Sequence, residues 1–223
     1  MVDMAQDAQT ISSKQFHLEV GVDDWRVVSS GAQAVFRASS LRHAASLVDP
    51  ISAAAEEHGI LPDIDVRPEA VIVRVPPWAI GGIPPAAPRF AAAVSAAAAR
   101  LGLRADPGAV QSVSIYIAQH SEADVRPFFL AALGYLPVGE TDAVEALRTA
   151  PDLAFNPVTG DEPKRGRSHF DVFVPAAQAQ ARVDAALAAG GRLVDDSQAP
   201  AFWTLASPDN HGVDIASWLD TDG

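Results

Sequence analysis

The 223-residue sequence contains no cysteine. That absence removes disulfides, thiolate metal sites and cysteine nucleophiles together. Basic residues are scarce: 16 Lys and Arg stand against 28 Asp and Glu, for a net charge of −12. Such a balance suits neither a phosphate backbone nor an anionic lipid surface, so nucleic acid and membrane are not expected as partners. Long apolar runs are missing too, with no window near the ~18 uninterrupted apolar residues of a membrane span. Met1 to Thr10, carrying Asp3 and Asp7, lacks the cationic and apolar regions of a signal peptide. A cytoplasmic protein is the expectation. What is present is ordinary for a globular chain, 48% hydrophobic and 20% charged residues, enough for one large core or two moderate ones.

The strongest internal signal is a repeat. Arg167-Ser168-His169-Phe170-Asp171-Val172-Phe173-Val174 alternates polar and apolar residues, as a strand with one wet and one buried face requires. Behind it, Ala176 to Ala189 reads as a helix stopped at Gly190-Gly191, and Arg192-Leu193-Val194 as a second strand. The same unit stands 57 residues earlier, where Ser112 to Ile117 aligns with His169 to Val174, Gly134 with Gly191 and Leu136 with Leu193. Self-similarity at a fixed offset marks a duplicated supersecondary unit. Each copy has room for two more strands, near 143–148 and 153–158 in the first and near 202–205 and 212–218 in the second. A βαβββ unit leaves one sheet face uncovered by its own helix, and two such units can close a cup around a small molecule.

The first half reads as a separate α+β layer. A short helix over 11–18 has Ser12 or Ser13 as cap, and Trp25 to Arg37 forms a hairpin. A helix from Leu41 to Gly59 is kinked or split at Pro50, a strand spans Val71 to Val75, and an Ala-rich helix spans Phe90 to Leu101. Gly102 to Val110 has the punctuation of a linker. The domains are therefore 11–104 and 111–220.

Trp25, Phe36, Ala55-Glu56, Pro62, the strand 71–75 and Gly82-Ile83 together resemble pterin-4a-carbinolamine dehydratase. The resemblance implies a helix-on-antiparallel-sheet domain. It also implies a His-His-Pro motif, a Thr-His and an Asp, but this chain has Ile60-Leu61-Pro62, Pro77-Trp78 and Ala87 there, none able to move a proton. A catalytically emptied dehydratase domain follows. A pterin-binding role, with His58 as a relocated acid, is the competing reading. His58 in a helix's last turn is also simply well placed against the helix dipole.

Leu153-Ala154-Phe155-Asn156, His169-Phe170-Asp171 and the closing Ser207 to Asp214 segment resemble the vicinal oxygen chelate superfamily, also called the glyoxalase/bleomycin resistance/dioxygenase fold. The resemblance implies an α+β chain ending in paired βαβββ modules. Metal-using members hold a divalent ion on the first and last strands of each module. His169 and Asp214 occupy two such positions, while Ser112 and Ala154 or Asn156 occupy the others, so the ligand set for a divalent metal is incomplete. His169 and Asp214 are then metal ligands, or acid and base. Tyr116, Phe155, Asp171, Trp203, His211 and Trp218 are expected to line the cup, the tryptophans gripping a partly apolar ligand. Lys164-Arg165-Gly166-Arg167 would clamp an anionic group or lie solvated.

Two functions follow. One is a glyoxalase-like enzyme, of lyase, isomerase or dioxygenase type, acting on a small metabolite. The other is a binding module that sequesters a small molecule, as resistance proteins do, with the emptied half serving dimerisation or acting as a lid; a homodimer is expected.

Overall fold

The computed structural model describes residues 10–77, 82–120, 126–158, 168–206 and 212–217. They divide into two compact units, the first running to Val110 and the second spanning 111–217. No described helix is long and apolar enough to cross a membrane.

The first unit contains α1 (Ser13–His17), β1 (Trp25–Val28), β2 (Gly31–Arg37), α2 (Leu41–Ala45), α3 (Val48–His58), β3 (Asp63–Arg67), β4 (Ala70–Val75), α4 (Ala87–Arg100) and β5 (Arg104–Ala105). Ser12 caps α1 in a capping box closed by Gln15. The sheet runs β1-β2-β4-β3, all antiparallel, with β5 paired to β2. Trp25, Phe36, Val71 and Val73 from the strands meet Leu47, Ile51, Phe90 and Val94 from the helices in one core. The Trp25 indole N–H donates to the Ala91 carbonyl at 3.1 Å, so the buried ring loses no hydrogen bond.

Three expectations change here. The helix over 41–59 breaks at Ser46-Leu47 rather than at Pro50. Pro50 falls in the first turn of α3, where a backbone N–H has no intrahelical acceptor and its loss costs nothing. The strand β3 was not foreseen, because Asp63-Ile64-Asp65-Val66-Arg67 carries three charges on a sheet edge. The supposed linker holds β5 and buries Leu103 and Val110, so it belongs to the first unit's packing.

The second unit contains β6 (Ser112–His120), α5 (Arg126–Leu133), β7 (Leu136–Val138), β8 (Asp142–Val144), β9 (Asp152–Val158), β10 (Ser168–Phe173), α6 (Ala176–Ala188), β11 (Arg192–Asp195), β12 (Phe202–Ala206) and β13 (Gly212–Ala216). Its eight described strands form one sheet in the order β11-β12-β13-β10-β6-β9-β8-β7. Each module reads first, fourth, third, second strand outward from the centre, and the modules join where β6 and β10 pair antiparallel. First and last strands of each module are parallel, β6 with β9 and β10 with β13.

Strand alternation gives this sheet two chemically distinct faces. One face is apolar and packs under the helices. Ile115, Ile117, Leu153 and Phe155 meet Phe129 and Leu130 of α5, while Trp203, Leu205 and Ile215 meet Ala179 and Val183 of α6. The opposite face carries the residues one position away in each strand.

Candidate functional site

Register places the polar residues of that second face in two adjacent rows. In the first, Thr204, Asp214, Asp171, Ser114 and Asp152 stand side by side across β12, β13, β10, β6 and β9. In the second, Gly212, His169, Tyr116, Ala154 and Asp142 do the same across β13, β10, β6, β9 and β8. Neighbours within a row lie about one strand spacing, ~4.8 Å, apart.

His169 is the hinge between the rows. Its Nε2 lies 3.2 Å from Asp171 Oδ1 and 3.3 Å from Asp214 Oδ2. The carboxylates are buried, their side chains 7% and 6% exposed, while the imidazole is 31% exposed. Ligand atoms of all three residues fall within 4.8 Å of one another. Asp171 Oδ1 accepts no hydrogen bond. Burying a carboxylate oxygen is costly unless a positive group answers it, and the group beside this one is the His169 imidazole, its Nε2 at 3.2 Å.

Local sequence explains how the ring fits. Position 212, beside His169, is glycine, and a Cβ there would come 2.9 Å from the His169 Cβ. On the other side Tyr116 stacks on the imidazole, centroids 5.1 Å apart and planes 20° from parallel. Burial, and then the charges of Asp171, Asp152, Asp142 and Asp214, push the Tyr116 phenol up to about 12. It is therefore a neutral hydrogen-bonding group throughout the physiological range. Ser114 donates its hydroxyl to Asp152 Oδ2 at 2.8 Å.

Of the residues singled out from sequence, the structure brings together His169, Asp171, Asp214 and Tyr116. Phe155 and Trp203 are not on this face. Their registers, Phe155 with Ile117 and Trp203 with Ile215, put them on the helix-covered side, where each is nearly inaccessible. A ring on a strand is equally available to core and cup, and only the parity of the register decides between them. His211, Trp218 and the segment Lys164-Arg165-Gly166-Arg167 lie outside the described residues.

Asp152, Ser114 and Asp142 are functional candidates that the sequence reading missed. Asp152 pairs with Ser114 as Asp214 pairs with Asp171, so Asp152, rather than Ala154 or Asn156, is the counterpart of Asp214. The gapless repeat holds only through the second strand. Beyond it the second module is five residues longer, and a fixed offset points past the right aspartate.

Residues 114–216 match the family model described as a glyoxalase-like domain. No curated protein matches the chain. Solved structures similar to it include an NAD-dependent benzaldehyde dehydrogenase from Legionella pneumophila, at 14% identity and TM-score 0.34, the match covering 48% of this chain and 98% of that one. A second is a glyoxalase/bleomycin resistance protein/dioxygenase superfamily member from Vibrio splendidus 12B01, at 14% identity and TM-score 0.32, covering 48% and 99%. A third is a genomically encoded fosfomycin resistance protein from Listeria monocytogenes, complexed with Mn(II) and sulfate, at 8% identity and TM-score 0.22, covering 46% and 85%. The C-terminal part of the chain has a glyoxalase-like fold. The family match does not reach 11–104, and the dehydratase likeness of that part rests on its sequence landmarks alone.

Proposed function

We propose that the glyoxalase-like domain, residues 111–217, binds a small molecule on the polar face of its sheet, at a divalent cation held by His169, Asp171 and Asp214. The observation that carries this reading is the pair of buried carboxylates on one imidazole nitrogen, with Asp171 Oδ1 accepting no hydrogen bond. One imidazole and two carboxylates are a donor set that a hard or borderline divalent ion accepts, leaving positions for a ligand. When bound, such an ion supplies Lewis acidity toward a ligand oxygen.

The protein's own groups do the rest. Asp171 and Asp214 fix the His169 ring from the sheet side, and Gly212 leaves the space it fills. Tyr116, neutral and half-buried against His169, offers a phenol that can donate to a ligand oxygen. Protons and the cation compete for His169 Nε2, so affinity falls as the solution is acidified.

Titration of chelator-treated protein with Mn²⁺, followed by calorimetry and by the electron paramagnetic resonance of free ion, tests the reading. One ion per chain, lost in His169→Ala and Asp214→Asn, is expected. Absence of saturable binding at millimolar Mn²⁺ would leave a metal-free cup, in which His169 and Asp171 act as a proton-holding pair and the domain sequesters its ligand. Whether the domain catalyses a lyase, isomerase or dioxygenase reaction is the next level of the same proposal. It is checked by turnover of candidate substrates with and without Mn²⁺. The homodimer expected from sequence is checked by light scattering of the full chain.

A further inference from the structure

A strand that ends a sheet leaves backbone donors and acceptors open to another strand, and proteins block such edges. β1, β3, β7 and β11 end the described sheets. β7 has Pro137, β11 is interrupted by a bulge between Leu193 and Asp195, and on β1 the Arg26 guanidinium donates to the Trp25 carbonyl at 2.6 Å. β3 has none of these. Its five residues pair with β4 in unbroken register from Asp63 to Arg67, and no described strand lies beyond it. Ile64 of β3 also lines an open groove of about 620 Å³, together with Ala55, Ile60, Leu61 and Pro62, and Leu61 there is 86% exposed.

What guards β3 is charge, and the charges are in an order that complements itself. Asp63, Asp65 and Arg67 share one face of the strand, Ile64 and Val66 the other. Two antiparallel copies of β3 keep like faces together only when the two-fold axis between them passes through a residue. Through Ile64 the axis would set Asp63 against the second copy's Asp65, and through Asp65 or Arg67 it would set a charge against itself. Through Val66, each Asp65 faces the second copy's Arg67 and no like charges of the strand are opposed. Arg67 already lies 2.7 Å from the Asp65 of its own chain, so the pairing closes a ring of two guanidiniums and two carboxylates. Asp63, outside the ring, has Arg74 of its own chain at 3.9 Å. Ile64 then comes opposite the second copy's Pro68, which extends the apolar contact toward the groove.

We infer that β3 is a self-association surface: two copies of this chain join their first units edge to edge, antiparallel, about a two-fold axis through Val66. This rests on the homodimer expected from sequence and names its contact, but it does not depend on the cation centre of the second unit. Backbone hydrogen bonds supply the attachment, and the Asp65–Arg67 pairs select the register. The same charges turn away strands whose sequences do not match them.

Because the chain has no cysteine, single introduced thiols test the register directly. Directly opposed residues of an antiparallel pair have Cα atoms about 4.5–5.5 Å apart, within reach of a disulfide, whereas diagonal neighbours at about 7–8 Å are beyond it. On mild oxidation of the full chain, Val66→Cys should give a disulfide-linked dimer. Asp65→Cys and Arg67→Cys should each stay largely unlinked alone and should link to each other when mixed; this mixture serves as the reading should Val66→Cys fail to fold. Arg67→Glu, at an exposed position, should raise the dimer dissociation constant at least about tenfold by light scattering across a dilution series, and the exchange Asp65→Arg with Arg67→Asp should restore it. A full chain of monomeric mass overturns the homodimer together with this interface. A dimer in which Val66→Cys does not link, or in which Asp65→Cys links to itself as readily, overturns this interface alone.

Discussion

The two modules of the second unit follow one path, yet their polar faces differ. At matching positions the second module has His169, Asp171 and Asp214 where the first has Ser112, Ser114 and Asp152. Their helix-covered faces, by contrast, are interchangeable in kind: Ile115, Leu153 and Phe155 in one, Trp203, Leu205 and Ile215 in the other. The fold asks only for apolar residues at every second strand position and a helix to cover them. Residues on the opposite face are free of that demand. Duplication of a backbone therefore does not oblige duplication of a site, and here the imidazole with its two buried carboxylates sits in one copy.

The largest effects should come from the shared scaffold. Phe155→Ala and Trp203→Ala each remove a large ring from a core beneath a helix, and each should cost about 3–5 kcal/mol in denaturant unfolding. Mn²⁺ affinity of the molecules that remain folded should be nearly unchanged. A Trp203→Ala variant of normal stability that no longer bound small molecules would return Trp203 to the cup.

Gly212→Ala comes next, since its Cβ would press on His169 at 2.9 Å. Overpacking of this kind costs about 1–3 kcal/mol, and Mn²⁺ affinity should drop with stability because the ring must move. Asp171→Ser gives the second module the residue the first already has. It should lower Mn²⁺ affinity at least about tenfold, the low end of what even outer-shell changes cost at metal sites. In the chelated protein the same change should raise thermal stability, since it removes a buried charge. Ser112→Ala on the first module should do neither, and a large effect there would show that both modules hold the ion.

How far the sequence carried this comparison follows from what each signal encodes. The duplication was legible because alternation and the Gly134/Gly191 helix stops repeat at one spacing. His169 was legible from its strand position in the repeat, and Asp214 from the resemblance of the closing Ser207 to Asp214 segment to the superfamily's last turn. Asp152 was hidden by connections of unequal length, which shift the last strand's register without altering its composition. Phe155 and Trp203 were misplaced for a related reason: an aromatic on a strand does not say which face it is on until its partner's parity is known. In the first unit, β3 was missed because its three charged residues lie on an edge strand that tolerates them.

The smallest effect at neutral pH, and the most direct probe of the field between the modules, is the titration of Tyr116. The second module has Phe173 at the equivalent position, so the phenol marks the first module alone. The chain has two tyrosines, and Tyr135 is also raised, mainly by burial and then by Glu145. In Tyr135→Phe the remaining phenolate absorbance should appear in one step near 12. Because the folded pKa lies above the unfolded value of about 10, the native state keeps its proton longer. Stability should thus be unaffected by this group below pH ~10 and should fall as pH rises from ~10 toward 12. Asp171→Asn should move the midpoint down more than Asp152→Asn, since Asp171 is the strongest of the four charges acting on the ring. A midpoint near the ordinary tyrosine value in Tyr135→Phe would take Tyr116 out from between the carboxylate rows. The shared polar face, on which the proposed cation centre depends, would go with it.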